Sequence, residues 1–209
     1  MDRPSWDQMY MNMCYEVASR SPDESTHSGC FIATPDNTPV SFGYNGFPRG
    51  IENTPERQQR PLKYQYFEHC ERNAFYNAGR EGKSCMGAKI YVNWLPCADC
   101  ARGIIQEGLS EVIVHKQGQE AFLMSRNDTV WTEDHDIVIG MFEEAGVAFR
   151  WYTGPIRMGL TGMWSGKRYA FLDSNSVELN DISECLWMTD EFVVTPILET
   201  SGVAISPRQ

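Results

Sequence analysis

Apolar residues recur at helical spacing near the start of the chain. Trp6, Met9, Tyr10, Met13 and Val17 fall on one stripe, and Ser5 with Gln8 has the spacing of a capping box, which predicts an amphipathic helix to about Arg20. The polar run 21–28 ends that period. Residues 30–33 and 39–42 read as two strands about a turn at Pro35-Asp36-Asn37. Residues 43–61 have no period and are punctuated by Gly and Pro, a loop long for a compact domain. A helix is expected from about His69 to Asn77, ending before Gly79. A strand at 88–93, a helix from Pro96 to a stop at Gly108, and a strand at 111–115 follow. Val138, Met141, Phe142 and Ala145 mark a further helix, and 147–152 a last strand. Strands alternating with helices predict an α/β architecture with a mixed, roughly five-stranded sheet.

The pattern changes at Thr153. Glycines at 154, 159, 162 and 166 break every period, although Trp164, Tyr169, Phe171, Trp187 and Phe192 supply apolar mass. Residues 191–198 alone read as a strand, at an edge because of Pro196. The expected organisation is therefore a domain over 1–152 and an extension over 153–209, whose plainest role is to pack against a subunit or cover a surface.

Composition narrows the partners. At 209 residues and 42% hydrophobic content the chain buries a sizeable core. The formal net charge of -10 offers no basic field for a polynucleotide, so nucleic-acid partners and RNA editing are set aside, while a small anion needs only a local basic pocket. Seven cysteines, an odd number, without a signal peptide or a membrane-spanning apolar run, predict a reduced, cytoplasmic protein with no membrane partner.

Chemistry concentrates between Glu68 and Cys100. His69-Cys70-Glu71 and Pro96-Cys97-Ala98-Asp99-Cys100 supply one imidazole and two thiolates, a set suited to Zn²⁺ with its fourth position open. Glu71 is placed to relay protons, and H-x-E followed by P-C-x-x-C is the general signature of zinc nucleobase deaminases. The competing readings are a closed zinc knuckle using Cys70 or Cys85 as fourth ligand, and a redox pair at Cys97 and Cys100. His27, His115 and His135 show no metal-like spacing.

Further segments resemble the deoxycytidylate (dCMP) deaminase family across roughly residues 5–150. They are Pro22-Asp23-Glu24-Ser25-Thr26, Gly43-Tyr44-Asn45-Gly46-Phe47-Pro48-Arg49-Gly50, Lys63-Tyr64 and residues 101–114. The resemblance implies a three-layer α/β/α cytidine-deaminase-like fold with both zinc-bearing helices on one face. It implies hydrolysis of dCMP to dUMP and ammonia, which supplies thymidylate synthesis, with His69, Cys97 and Cys100 on zinc and Glu71 moving protons. It further implies that Asn45 contacts the sugar and base edge and that the N–H of Cys70 bonds the pyrimidine O2. A homohexamer activated by dCTP, and inhibited by dTTP with Mg²⁺ near the 43–50 loop, is also implied. Phosphate is expected at Arg49, Arg57, Arg60 or Lys63, and Tyr64, Tyr66, Phe67, Trp94 and Leu95 are candidates for the base wall.

Two departures stand out. The family has Ala where this chain has Cys70, and Val-Gly-Ala where it has Ser28-Gly29-Cys30. Cys30 and Cys70 are expected to border the ring, which admits a modified dCMP, another nucleoside or a purine as the substrate. A zinc module that binds nucleotides without catalysis is the reading from another class, and Glu71 argues against it.

Overall fold

Five strands make the central sheet, in the order β2-β1-β3-β4-β5. They are β1 (Gly29–Ala33), β2 (Pro39–Tyr44), β3 (Lys89–Val92), β4 (Glu111–His115) and β5 (Ala148–Tyr152). β1 runs antiparallel to both β2 and β3, and β3, β4 and β5 are parallel. The structure is a computed structural model that describes residues 3–125, 130–157, 160–172, 175–179, 192–196 and 203–207.

Alternate residues of these strands feed two cores. Cys30, Ile32, Ile90, Val92, Val112 and Val114 face one side, where they meet α3 (Cys70–Arg80), α4 (Ala98–Gln106) and α6 (Val130–Ala145). Phe31, Ala33, Tyr91 and Ile113 face the other, against α1 (Trp6–Ala18) and α5 (Lys116–Ser125). Helices on both faces explain why the strands read as unbroken apolar runs. The result is the expected three-layer α/β/α arrangement, with α3 and α4 sharing a face. Each large apolar side chain buried there contributes about 1.5–3 kcal/mol.

Local signals account for most boundaries. Ser5 caps α1 by accepting from the Gln8 N–H at 3.1 Å. Gly108, at φ +73, ends α4 in a Schellman turn in which the Leu109 N–H reaches the Ile104 carbonyl. α3 runs past its expected end, because Gly79 stays helical and the left-handed residue is Gly82, at φ +68. Pro96 lies just before α4, whose cap is Cys97. The loop after β2 contains a 3-10 turn (Glu56–Gln58) and a one-turn helix, α2 (Lys63–Tyr66), both too short to show a period. Gly43 is required by packing: a Cβ there would sit 2.1 Å from the Cys70 carbonyl oxygen, where α3 lies against β2.

Beyond β5 the chain forms an antiparallel meander of β6 (Thr161–Trp164), β7 (Lys167–Leu172) and β8 (Asn175–Leu179). Trp164, Tyr169 and Phe171 are buried in the same core as Tyr10 and Tyr15 of α1. Sequence periodicity missed this sheet and also α5, whose first turn is polar. β9 (Phe192–Pro196) pairs antiparallel with β10 (Val203–Pro207), so the strand expected at 191–198 is present. Trp187 lies outside the described residues.

Candidate active site

Two helix N-termini converge at one end of the sheet. His69 is the cap residue of α3 with Glu71 in the first turn, and Cys97 is the cap residue of α4 with Cys100 three residues on. Cap residues have extended backbone, so both side chains leave the helix axis and meet. His69 Nδ1 lies 3.4 Å from Cys97 Sγ and 3.5 Å from Cys100 Sγ, and all three donor atoms are within 4.8 Å of one another. Zinc–ligand bonds of 2.0–2.3 Å place the corners of a tetrahedron about 3.3–3.8 Å apart, so this trio fits a zinc ion with one position left open. Neither Cys70 nor Cys85 joins the cluster, which disfavours the closed knuckle among the described residues.

The charge balance points the same way. A hydrogen bond from Cys100 pulls the Cys97 thiol down to about 3, burial opposes this, and His69 assists. Cys100 is pushed up by the same Cys97 thiolate, with burial adding to it. A dication held at the trio would favour the thiolate form of both sulfurs. The two helix dipoles favour anions here. Arg72 adds positive charge, with Nη1 3.4 Å from Cys100 Sγ, and its Nε donates to Glu68 at 2.6 Å.

Glu71 is 3% exposed and faces a cleft beside His69 and Cys97. The Cys70 thiol donates to its Oε2 at 3.2 Å. Cys70 Sγ is also 2.8 Å from Ser28 Oγ, which accepts from the Trp94 indole N–H at 2.8 Å. An indole only donates and a carboxylate only accepts; with the thiol proton given to Glu71, Ser28 gives its own to Cys70 Sγ, so the chain of hydrogen bonds runs one way: indole, hydroxyl, thiol, carboxylate. Burial pushes the Cys70 thiol well up, which keeps its proton available for Glu71.

The cleft holds about 740 Å³, its solvent-open mouth included. Asp23, Ser25, Thr26 and Ser28 line one side, and Lys63, Tyr64, Phe67, Trp94 and Leu95 contribute apolar and cationic surface. Asn45 lines it too, but its amide is engaged with the loop: Oδ1 accepts from the Ser28 N–H at 2.8 Å, and Nδ2 donates to Asp23 and Thr26. Arg60 reaches the cleft. Arg49 does not; its guanidinium donates to Asn77. Arg57 sits over the Tyr66 ring instead, and neither residue lines the cleft. Cys30 and Cys70 are fully buried behind the wall, and the atom that meets the cleft in their place belongs to Ser28.

Sequence reasoning named Asp23 within a family-like segment and Ser28 as a departure, but gave neither a place at the cleft. The Asp23 carboxylate accepts from the N–H groups of Ser25 and Thr26, from Ser25 Oγ, from Asn45 and from Lys63 Nζ at 2.5 Å. The available signal was Asp followed two residues later by Ser-Thr, a local turn pattern. Lys63 is buried by that ion pair and also donates to Ser25 Oγ. Of the sequence-level phosphate candidates, Lys63 and Arg60 are the two at the cleft.

Residues 4–116 match the family model of the cytidine and deoxycytidylate deaminase zinc-binding region. The chain belongs to that deaminase family. It is 36% identical over 146 residues to an uncharacterized deaminase in the luxG 3' region of Aliivibrio fischeri, covering 70% of this chain and 92% of that one. To the deoxycytidylate deaminase of Mus musculus it is 32% identical over 158 residues, 73% of this chain and 82% of the mouse protein. Among solved structures, the dCMP deaminase of cyanophage S-TIM5 in complex with dCMP and dUMP superposes with a TM-score of 0.55. That pair shares 19% identity, over 73% of this chain and all of the phage chain. At that identity the likeness speaks to the fold, and it agrees with the α/β/α arrangement of this deaminase. No helix among the described residues is long and apolar enough to cross a membrane.

Proposed function

We propose that this deaminase hydrolyses dCMP to dUMP and ammonia, and that the product supplies thymidylate synthesis. The observation that carries the reading is a buried carboxylate, Glu71, facing the cleft beside a three-donor metal cluster with an open position. His69, Cys97 and Cys100 would hold a zinc ion there, which would supply the Lewis acidity that brings the pKa of water towards neutrality. Glu71 accepts one proton of the attacking water and passes it to N3 of the cytosine; it then takes the remaining hydroxyl proton at C4 and gives it to the amine, so that ammonia leaves as the C4 carbonyl forms. A proton carrier of this kind is worth about 10²–10⁴ in rate. Cys70 and Ser28 hold that carboxylate in place, and the stack of apolar side chains around Trp94 excludes water from the ring.

The monophosphate is assigned to Arg60 with Lys63 beside it. Arg bonds phosphate bidentately, and Lys63 is already neutralised by Asp23. Residues 1–152 carry the chemistry in this reading, and the extension 153–209 covers one face, an assignment supported by the burial of Trp164 and Phe171. The finer expectations rest on the resemblance of the 43–50 loop: a homohexamer, dCTP activation, dTTP inhibition with Mg²⁺, and a cytoplasmic site of action. Ser28 and Cys70, where the family has Val and Ala, favour a second reading in which a 5-substituted dCMP is the better substrate.

Ammonia release decides between these. Wild type and Glu71→Gln are assayed on dCMP, deoxycytidine, cytidine, 5-methyl-dCMP and 5-hydroxymethyl-dCMP, with and without dCTP and dTTP. dCMP is expected to be turned over well and deoxycytidine poorly, with Glu71→Gln retaining zinc but losing at least a hundredfold in kcat, the lower bound for a general acid–base group. No ammonia from any pyrimidine nucleotide by the zinc-loaded protein overturns the reading.

A further inference from the structure

The hairpin of β6 and β7 lies outside the region matched by the family model, yet it touches a loop that lines the substrate cleft. Its two-residue turn, Ser165-Gly166, joins Trp164 to Lys167 with both residues left-handed, at φ 52 and 77. This is the type I′ geometry that suits the twist of a hairpin. The turn packs on the loop that contributes Asp23, Ser25, Thr26 and Ser28 to the cleft. The Gly166 N–H donates to the Ser25 carbonyl at 2.7 Å, the Ser165 N–H to Thr26 Oγ1 at 3.4 Å, and the His27 N–H to the Met163 carbonyl at 2.8 Å. Three consecutive loop residues are thus bonded to the hairpin.

The opposite side of the same loop is held by Asn45, which engages Asp23, Thr26 and the N–H of Ser28. The hairpin itself is anchored in the core: Trp164 is fully buried, and Phe171 packs 4.9 Å, ring to ring, from both Tyr15 and His115. A rigid element on one face and the Asn45 amide on the other leave the loop little freedom. A short polar loop of this composition has few apolar contacts of its own and would otherwise open easily.

We infer that the Ser165-Gly166 hairpin is a positioning clamp for the 22–28 loop, so that residues beyond the family-matched region set substrate affinity. The clamp bonds residues 25–27 and acts on Asp23 and Ser25, hence on Lys63; Ser28, which supports Glu71 through Cys70, is held separately by the Asn45 amide and the Trp94 indole. It follows that loosening it raises KM and spares kcat. This inference rests on the cleft being the substrate site, as proposed above.

Gly166→Val tests it. A β-branched residue is strained at φ 77, so the turn distorts and its two outward N–H groups leave the loop. Amide hydrogen exchange at residues 23–28 should accelerate roughly thirtyfold, as expected for the loss of two hydrogen bonds, while α3 and α4 stay protected. KM for dCMP should rise several-fold with kcat within about twofold and zinc content unchanged. Gly166→Asn, which tolerates the left-handed region, should restore both. Gly166→Ala serves the same test if the valine variant does not fold. Unchanged loop exchange and unchanged KM in a folded variant overturn the inference. So does acceleration spread evenly over the chain that Asn fails to rescue. If wild type deaminates no nucleotide, the proposed function fails, and the exchange contrast still decides the clamp.

Discussion

Replacing Asp23 by Asn should destabilise this protein more than any conservative change on its surface. Asp23 and Lys63 are both buried, at 4% and 8% side-chain exposure, with 2.5 Å between Oδ1 and Nζ. Asn removes the charge and leaves the Lys63 ammonium buried against neutral acceptors, an amide oxygen and Ser25 Oγ. It also turns one carboxylate oxygen into an NH₂ donor. Placed at Oδ2, that group faces the Asn45 amide, a donor against a donor. Breaking a buried pair from one side costs about 3–5 kcal/mol. Lys63→Met should cost less, because Asp23 keeps four other donors, two of them backbone N–H groups. The double variant Asp23→Asn/Lys63→Met removes the stranded cation, so it should recover at least about half of the loss. Urea unfolding of the zinc-loaded proteins at pH 7 measures all three. A single-variant cost below about 1 kcal/mol, or a double variant equal to the sum of the singles, would refute the argument that burial makes this pair matter.

Other outcomes follow from the same geometry. Cys97→Ser should strip most of the zinc from the purified protein, and full occupancy at the site in metal analysis would rule out the His69, Cys97, Cys100 assignment. Arg60→Ala should raise KM for dCMP with little effect on deoxycytidine, whereas Arg49→Ala should change neither; the reverse order in steady-state kinetics would move the phosphate to the 43–50 loop. Burial pushes His115 down to about 3, so its neutral form is the one the fold accepts. Its contribution to stability is complete above about pH 6.5 and is lost as pH falls from there towards 3, by up to about 1.4 kcal/mol per pH unit. His115→Gln should flatten that slope, and identical slopes for the two proteins in urea titrations at pH 7 and pH 5 would dismiss it. Cys30→Ala/Cys70→Ala should keep zinc but lower kcat on dCMP by several-fold and shift the ratio of 5-methyl-dCMP to dCMP turnover, because Glu71 loses its thiol donor; unchanged values would make both thiols packing only.

Residue spacing by itself determined the metal trio, the neighbouring carboxylate, the five strands and the stop at Gly108. Each depends on positions a few residues apart, where backbone geometry leaves few alternatives: a cap residue and its helix, a strand and its alternation, a left-handed glycine. Nothing comparably local separates Arg60 from Arg49. Both are cations in a loop without a period, and the return of the chain through Lys63–Tyr66 brings one to the cleft while the other meets Asn77 on α3. Asp23 and Lys63 are 40 residues apart and look like ordinary surface charges until the fold buries them together. Cys30 and Cys70 stand beside the motif in the text, yet their side chains turn behind the wall and Ser28 faces the cleft, a choice made by strand register and by the close approach of α3 to β2 at Gly43. The contact between Ser165 and Thr26 spans 139 residues. Such a contact exists because Trp164 and Phe171 find a complementary apolar surface on α1 and at the end of β4, and complementarity of that kind is a property of the packed layers rather than of any stretch of chain.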